Sequence, residues 1–186
     1  MSLRIFFILL LLFLTIPKGR AKGAMTGKMA PEFGNLVWFD KVGRPIKKAP
    51  TLKSARGKVI YLHFFQSWCP GCLSSGLPTI KEVSEHYSDN SKALFYAIQT
   101  VFEGFGSNTV KKVLSIKQRF KLNIPMAHDD GSREGLKKSI MMYKYRSRGT
   151  PWTVIIDPAG KVVFDGFHIT AKAASTIIDQ LLKSSK

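Results

Sequence analysis

The stretch YLHFFQSWCPGC, Tyr61 to Cys72, decides how the rest of the chain reads. With Lys58, Val59 and Ile60 ahead of it, its first half is aliphatic and aromatic almost throughout. Such a run suits a central strand buried on both faces. Its second half holds both cysteines of the chain, Cys69 and Cys72. A helical stripe follows, with Leu73, Leu77, Ile80, Val83 and Tyr87 recurring at spacings of four, three, three and four. Pro78 falls inside that stripe, removes an amide donor and predicts a kink. The two thiols therefore stand where a buried strand gives way to a helix.

Three uses of such a pair can be weighed. As a structural staple it is weak, because closing a four-residue loop stabilises by roughly 2 kcal/mol in the chain-entropy model, less than longer loops provide. As a zinc site it lacks two ligands: no second CxxC exists, and His63, His86, His128 and His168 show no paired spacing. As a redox couple it has a mechanism. At a helix N-terminus, unpaired amides and the helix dipole favour an anion, which lowers the pKa of Cys69 and supplies thiolate. Cys72, one turn further in, can resolve a mixed disulfide. Pro70 fits the first helical turn, and Gly71 leaves little bulk between the thiols. Trp68 is either an apolar rim for a substrate chain or an ordinary packed aromatic.

Working outward, ALFYAIQT, Ala93 to Thr100, reads as a second buried strand. NTVKKVLSIKQRF reads as a helix capped by Asn108, with Val110, Val113, Leu114 and Phe120 facing inward. A connection with a short strand over Leu122 to Met126 precedes a short helix over Leu136 to Tyr145. PWTVIID and KVVFDGFHI are strands joined by a turn at Asp157, Pro158, Ala159 and Gly160. Thr170 caps a last helix, with Ala174, Ile177, Ile178 and Leu181 on one face. Toward the N-terminus, NLVWFDKVGRPI predicts a hairpin turning near Lys41, Val42 and Gly43, and residues 22–34 predict a flexible lead-in. The order is an α/β one: crossovers link parallel strands in the first half, and an antiparallel pair closes the second. That predicts a mixed central sheet with helices on both faces.

Residues 1–21 carry Arg4 and then an apolar run from Ile5 to Ile16. As a helix that run rises about 18 Å, short of a roughly 30 Å hydrocarbon core. A cleaved signal peptide ending near Ala21 and a retained N-terminal membrane anchor both fit, and both place the remainder outside the cytoplasm. Lys18, Arg20 and Lys22 after the run bias against easy export. The formal net charge is +17, with hydrophobic residues at 45% and charged residues at 22%, a globular composition. The basic residues are scattered and accompany no nucleic-acid motif, so nucleic acid is not an expected partner. A solvated basic surface favouring an acidic partner or anionic lipid is.

YLHFFQSWCPGC, Pro78 and GTPWTVIIDPAGKVVF (Gly149 to Phe164) together resemble the thioredoxin-like disulfide reductases of the TlpA/ResA/redoxin group. The resemblance runs from about Pro45 to the C-terminus, giving a thioredoxin-like domain over 45–186 after a lead-in and hairpin over 22–44. It implies a thioredoxin-like fold with an insertion before the strand that follows a cis-proline, Pro151. Pro151 would lie against the sulfurs, and Thr150 would offer backbone groups to a substrate peptide. The position-independent frequency of cis X-Pro bonds, about 5–6%, could not supply this. The resemblance also implies an extracytoplasmic thiol-disulfide oxidoreductase, Cys69 as nucleophile and Cys72 resolving, with no cofactor beyond the Cys69–Cys72 disulfide. Its partners would be protein thiols or disulfides and, for a reductant, a membrane electron donor.

Three departures stand out. Pro78 lies six residues after Cys72 rather than five, and Ser74 and Ser75 occupy the region where many relatives carry an acid. His63 stands six residues before Cys69, where thioredoxins bury an aspartate. His63 and Glu103 are the candidates for relaying the Cys72 proton, against a satisfied core histidine and a solvated loop glutamate. The rival function is a copper-handling protein of the same fold, binding through both thiols plus His128 or His168, although such proteins usually space their cysteines by three. A peroxidase is disfavoured because Gln66 stands where its motif requires Thr or Ser.

Overall fold

The computed structural model describes residues 23–184, so the expected signal or anchor lies outside the described residues. Strand β2 (Val59–Phe65) is the axis, with all seven residues buried. Its side chains alternate between two cores: Val59, Tyr61 and Phe65 enter one, and Ile60, Leu62 and Phe64 the other. On one side β2 pairs in parallel with β3 (Ala93–Thr100), and on the other antiparallel with β5 (Trp152–Ile156). Beyond β3 lie parallel β4 (Met126–Asp129) and antiparallel β1 (Val37–Phe39). Beyond β5, β6 (Val162–Gly166) completes the six-stranded mixed sheet.

Helices α1 (Leu77–His86), α2 (Val110–Phe120) and α4 (Ala171–Ser184) cover the first face through Leu77, Ile80, Val83, Val113, Ile116, Ala174 and Ile178. Helix α3 (Ile140–Tyr145) covers the second face with Ile140, Met141 and Tyr145. Met25, Phe33, Leu36, Leu52 and Ala55, from the N-terminal region, share that second core. No described helix is long and apolar enough to cross a membrane.

Several local expectations change. The lead-in is not loose. Met25 N and Thr26 Oγ1 donate to the buried Asp165 carboxylate at 3.2 and 2.5 Å. Residues 27–30 exchange backbone hydrogen bonds with Gly160 and Val162, extending the sheet along the open edge of β6. The hairpin turn forms at Lys41–Gly43, with Gly43 at φ 93°. Its second arm meets the first only at a single Phe39–Pro45 bridge, and β1 pairs with β4 instead. The strand expected at Leu122–Met126 begins at Met126. Pro125 has no amide for a ladder, and the carbonyls of Leu122 and Ile124 accept from Lys117 Nζ at 2.7 and 2.6 Å. In α2 Thr109, not Asn108, occupies the cap position, and Val110 faces outward while Ile116 is buried.

Asp165→Ala is expected to cost about 1–3 kcal/mol, the range for losing charge-assisted bonds to partly buried donors. Urea denaturation should show the loss, and amide exchange at Gly27 and Ala30 should rise ahead of global unfolding.

Candidate active site

β2 ends at Phe65, and the chain must leave the sheet in the middle of the molecule. Asn108 secures the exit. Its Oδ1 accepts from Ser67 N at 2.8 Å, while its Nδ2 donates to Gln66 Oε1 at 2.9 Å and to the Glu103 and Gly104 carbonyls at 3.2 Å. A helix then starts at Pro70, and the Cys69 carbonyl accepts its first bond from Leu73 N at 3.1 Å. Cys69 thus stands at the cap of a helical run that continues to His86.

Cys69 and Cys72 form a disulfide, with their Cα atoms 5.2 Å apart. Cys69 is 6% exposed and Cys72 0%, so the first sulfur alone meets the groove outside. The Cys72 amide points at Cys69 Sγ at 3.2 Å. Thr150–Pro151 is a cis peptide, and the Thr150 carbonyl oxygen lies 3.6 Å from Cys69 Sγ. Gly71 faces Pro151 so closely that a Cβ there would stand 3.3 Å from Pro151 Cδ.

The expected kink at Pro78 takes another form. Pro78 sits in the first turn of α1, and the preceding residues, Cys72–Gly76, form a wider π-helical turn closed by Leu77 N donating to the Cys72 carbonyl. Pro78 withholds the amide that an α-helix would offer to Ser74. The turn lays Gly76 on His63, where a Cβ would come 2.5 Å from His63 Cε1 and 3.0 Å from Pro151 Cβ. Only glycine fits.

His63 is buried between that turn and β5. Its Nδ1 lies 3.4 Å from Thr153 Oγ1, and its Nε2 has no hydrogen-bond partner. Burial, aided by His168, pushes its pKa down to about 3, so the ring is neutral at physiological pH. Glu103 is placed differently: it is exposed on the rim of the groove, not beneath the sulfurs.

The groove runs past Cys69 between Trp68, Thr150, Pro151, Phe167 and His168. Trp68 is 45% exposed, so it is a rim and not a packed core aromatic. Phe167 forms the opposite apolar wall, resting on Trp152 with ring centroids 4.7 Å apart. Of the histidines weighed for copper, His128 is held by Gln99 Oε1 at 2.6 Å and faces Asp130 at 3.5 Å, whereas His168 lines the groove. Among the described residues no group of three or more His, Cys, Asp or Glu side chains could hold a metal.

Asn108 and Phe167 are residues of the site that sequence reasoning did not assign to it, and His168 entered only as a candidate copper ligand. Asn108 carried only a capping signal. The other two follow β6 and reach the cysteines solely through the hairpin back to Pro151.

A CxxC disulfide at a strand-to-helix junction, beside a proline that follows a threonine carbonyl, defines the thioredoxin-like class of thiol-disulfide oxidoreductases. Within that class the chain belongs to the redoxin family, whose model matches residues 26–177. It is 28% identical over 137 residues to the thiol-disulfide oxidoreductase ResA of Bacillus cereus, a match covering 74% of this chain and 66% of that protein. Among solved structures, a thioredoxin-like superfamily protein matches with a TM-score of 0.73 and 28% identity, over 83% of this chain and 96% of the other. A thiol-disulfide isomerase from Corynebacterium glutamicum matches with a TM-score of 0.69 and 26% identity, over 82% and 96%.

The depressed His63 pKa carries a stability consequence. Between about 3 and the ordinary 6.5 the unfolded chain binds a proton that the folded chain does not. The contribution is complete above pH 6.5 and is lost as pH falls, by about 1.4 kcal/mol per pH unit. Urea unfolding from pH 7 to 4 should show a shallower acid-side loss for His63→Gln than for the unmodified protein.

Proposed function

We propose that this protein carries out thiol-disulfide exchange on protein substrates outside the cytoplasm, acting as a reductant. The observation that carries the reading is the asymmetry of the disulfide: Cys69 opens to the groove at a helix cap and Cys72 is sealed beneath it. In the reducing direction the Cys69 thiolate attacks a substrate disulfide, forming a mixed disulfide and releasing one substrate thiolate. Cys72, once deprotonated, attacks Cys69 Sγ, reforms the Cys69–Cys72 bond and releases the second substrate thiolate. Trp68 and Phe167 flank the substrate chain, and the Thr150 backbone is placed to meet it in an extended pose.

His63 supports the second step as a buried acceptor. Its position supports this role, with an unpartnered Nε2 buried against the turn that follows Cys72, while its lowered pKa weakens it as a base. Glu103, at the mouth of the same groove, offers an exit to solvent. The apolar run Ile5–Ile16 supports export by an N-terminal signal, cleaved or kept as an anchor. A membrane reductase would then restore the dithiol. The resemblance of the cysteine and proline motifs to disulfide reductases supports the reducing direction.

Cys69→Ser is expected to abolish exchange, whereas Cys72→Ser should accumulate mixed disulfides through Cys69, seen as adducts in non-reducing gels and by mass spectrometry. Equal residual activity in the two variants would sink the assignment. A stoichiometric Cu(I) complex of the reduced protein, lost in both variants, would favour the copper-handling reading.

A further inference from the structure

Beside the groove lies a second concavity of about 580 Å³ whose walls are built by the insertion ahead of Pro151. Leu136, Met142 and Tyr143 supply an apolar lining, and Tyr143 is 79% exposed. Lys137, Lys138 and Arg148 form its lip, and no lining residue is acidic. None of these three cations makes an ion pair within 4.0 Å among the described residues. Ser147 Oγ, also in the lining, is buried without a hydrogen-bond partner.

The basin is preorganised. Asp129, at the end of β4, accepts from Ile140 N at 3.1 Å, from Met141 N at 2.8 Å and from Ser139 Oγ. Gly131, at φ 78°, lies directly under the Lys138 carbonyl, where no side chain could be accommodated. The segment that carries the basic lip is therefore fixed before any ligand arrives, which lowers the entropic cost of docking.

The basin and the active-site groove are neighbours, and Phe102 and Arg148 line both, so a chain lying past Cys69 is close enough to reach the basin. An apolar floor ringed by unpaired cations is complementary to a large apolar side chain flanked by carboxylates.

We propose that this basin docks the substrate polypeptide on one side of its reacting cysteine, taking an aromatic or large aliphatic residue with acidic residues beside it. This deepens the exchange reading and rests on it. It assigns the insertion a part in choosing substrates, and it gives the basic surface an acidic protein partner.

The test uses peptides whose cysteine is capped as a mixed disulfide with thionitrobenzoate, offered to the reduced protein. Attack by Cys69 on the peptide sulfur expels coloured thionitrobenzoate, and Cys72 then releases the peptide thiol and closes the protein disulfide. One peptide carries Phe, Asp and Asp near the cysteine, a second carries Ala, Lys and Lys, and capped N-acetylcysteine reports exchange alone. The ratio of peptide rate to N-acetylcysteine rate is expected to be at least about tenfold higher for the acidic aromatic peptide, and to fall with added salt. The double variant Lys137→Glu, Lys138→Glu should invert that ratio, and Leu136→Ser should lower it for the acidic aromatic peptide without changing its salt dependence. Thermal melts confirm that the variants are folded. Equal ratios for the two peptides in the unmodified protein would overturn the docking surface and leave the exchange reading standing. Failure to react even with capped N-acetylcysteine would overturn both.

Discussion

Ending a fully buried strand inside the molecule leaves backbone groups that neither a sheet nor solvent can satisfy, and here one side chain answers for them. Asn108 is buried, and its carboxamide takes the Ser67 amide while donating to Gln66 and to two carbonyls of the loop after β3. A buried polar group left unpaired costs about 1–3 kcal/mol, so the carboxamide contributes substantially to holding this loop. It fixes the loop that precedes Cys69, and it ties that loop to the segment carrying Phe102 and Glu103. The lip of the groove and the position of the reactive sulfur are thereby set by the same residue.

The floor of the site depends on space instead of polarity. Gly71 and Gly76 both face Pro151, and Gly76 also meets His63. A π turn between the cysteine pair and α1 is the local geometry that allows this approach, and it keeps Cys72 sealed at 0% exposure. Cys69 alone is then accessible to a substrate, which is the order of events that a nucleophile and a resolving thiol require. Ser67 belongs to a further chain of bonds. Gln99 Nε2 donates to its hydroxyl, and Gln99 Oε1 is held by His128, so β3 and β4 brace the same loop from below.

Elements with strong periodicity were legible in the sequence: β2, β3, the β5–β6 hairpin and the stripe of α1 all follow from burial on one or two faces. So did the cysteine pair, because thiols at a strand-to-helix junction have a recognisable electrostatic purpose. What was not legible depends on long-range partners. Residues 25–30 look loose until Asp165, far along the chain, offers an acceptor and β6 offers an open edge. The shift of β4 to Met126–Asp129 follows from Lys117 claiming the carbonyls of Leu122 and Ile124, a bond that no propensity describes. Asn108 has the sequence signature of a cap, and its tertiary role outcompetes that local one. Phe167 and His168 carry no motif; topology alone brings them to the groove.

The direction of electron flow turns on how far the folded protein stabilises the Cys69 thiolate, because a stabilised reduced form makes an oxidant. The stabilising contributions here are modest in number: the Cys72 amide at 3.2 Å and the start of one helix. Against them stand the near-complete burial of Cys69 and the Thr150 carbonyl oxygen 3.6 Å away, an acceptor facing an anion. His63, the titratable side chain packed beneath the turn, is held neutral by burial and contributes no positive charge. The groove's cationic side chain, Arg148, is solvent-exposed, where screening weakens its pull. A thiolate with dipolar but no buried ionic support is weakly favoured over its disulfide, and a couple of that kind gives electrons more readily than it takes them. The neutral histidine packed against the turn after Cys72 is thus compatible with the reducing role proposed above.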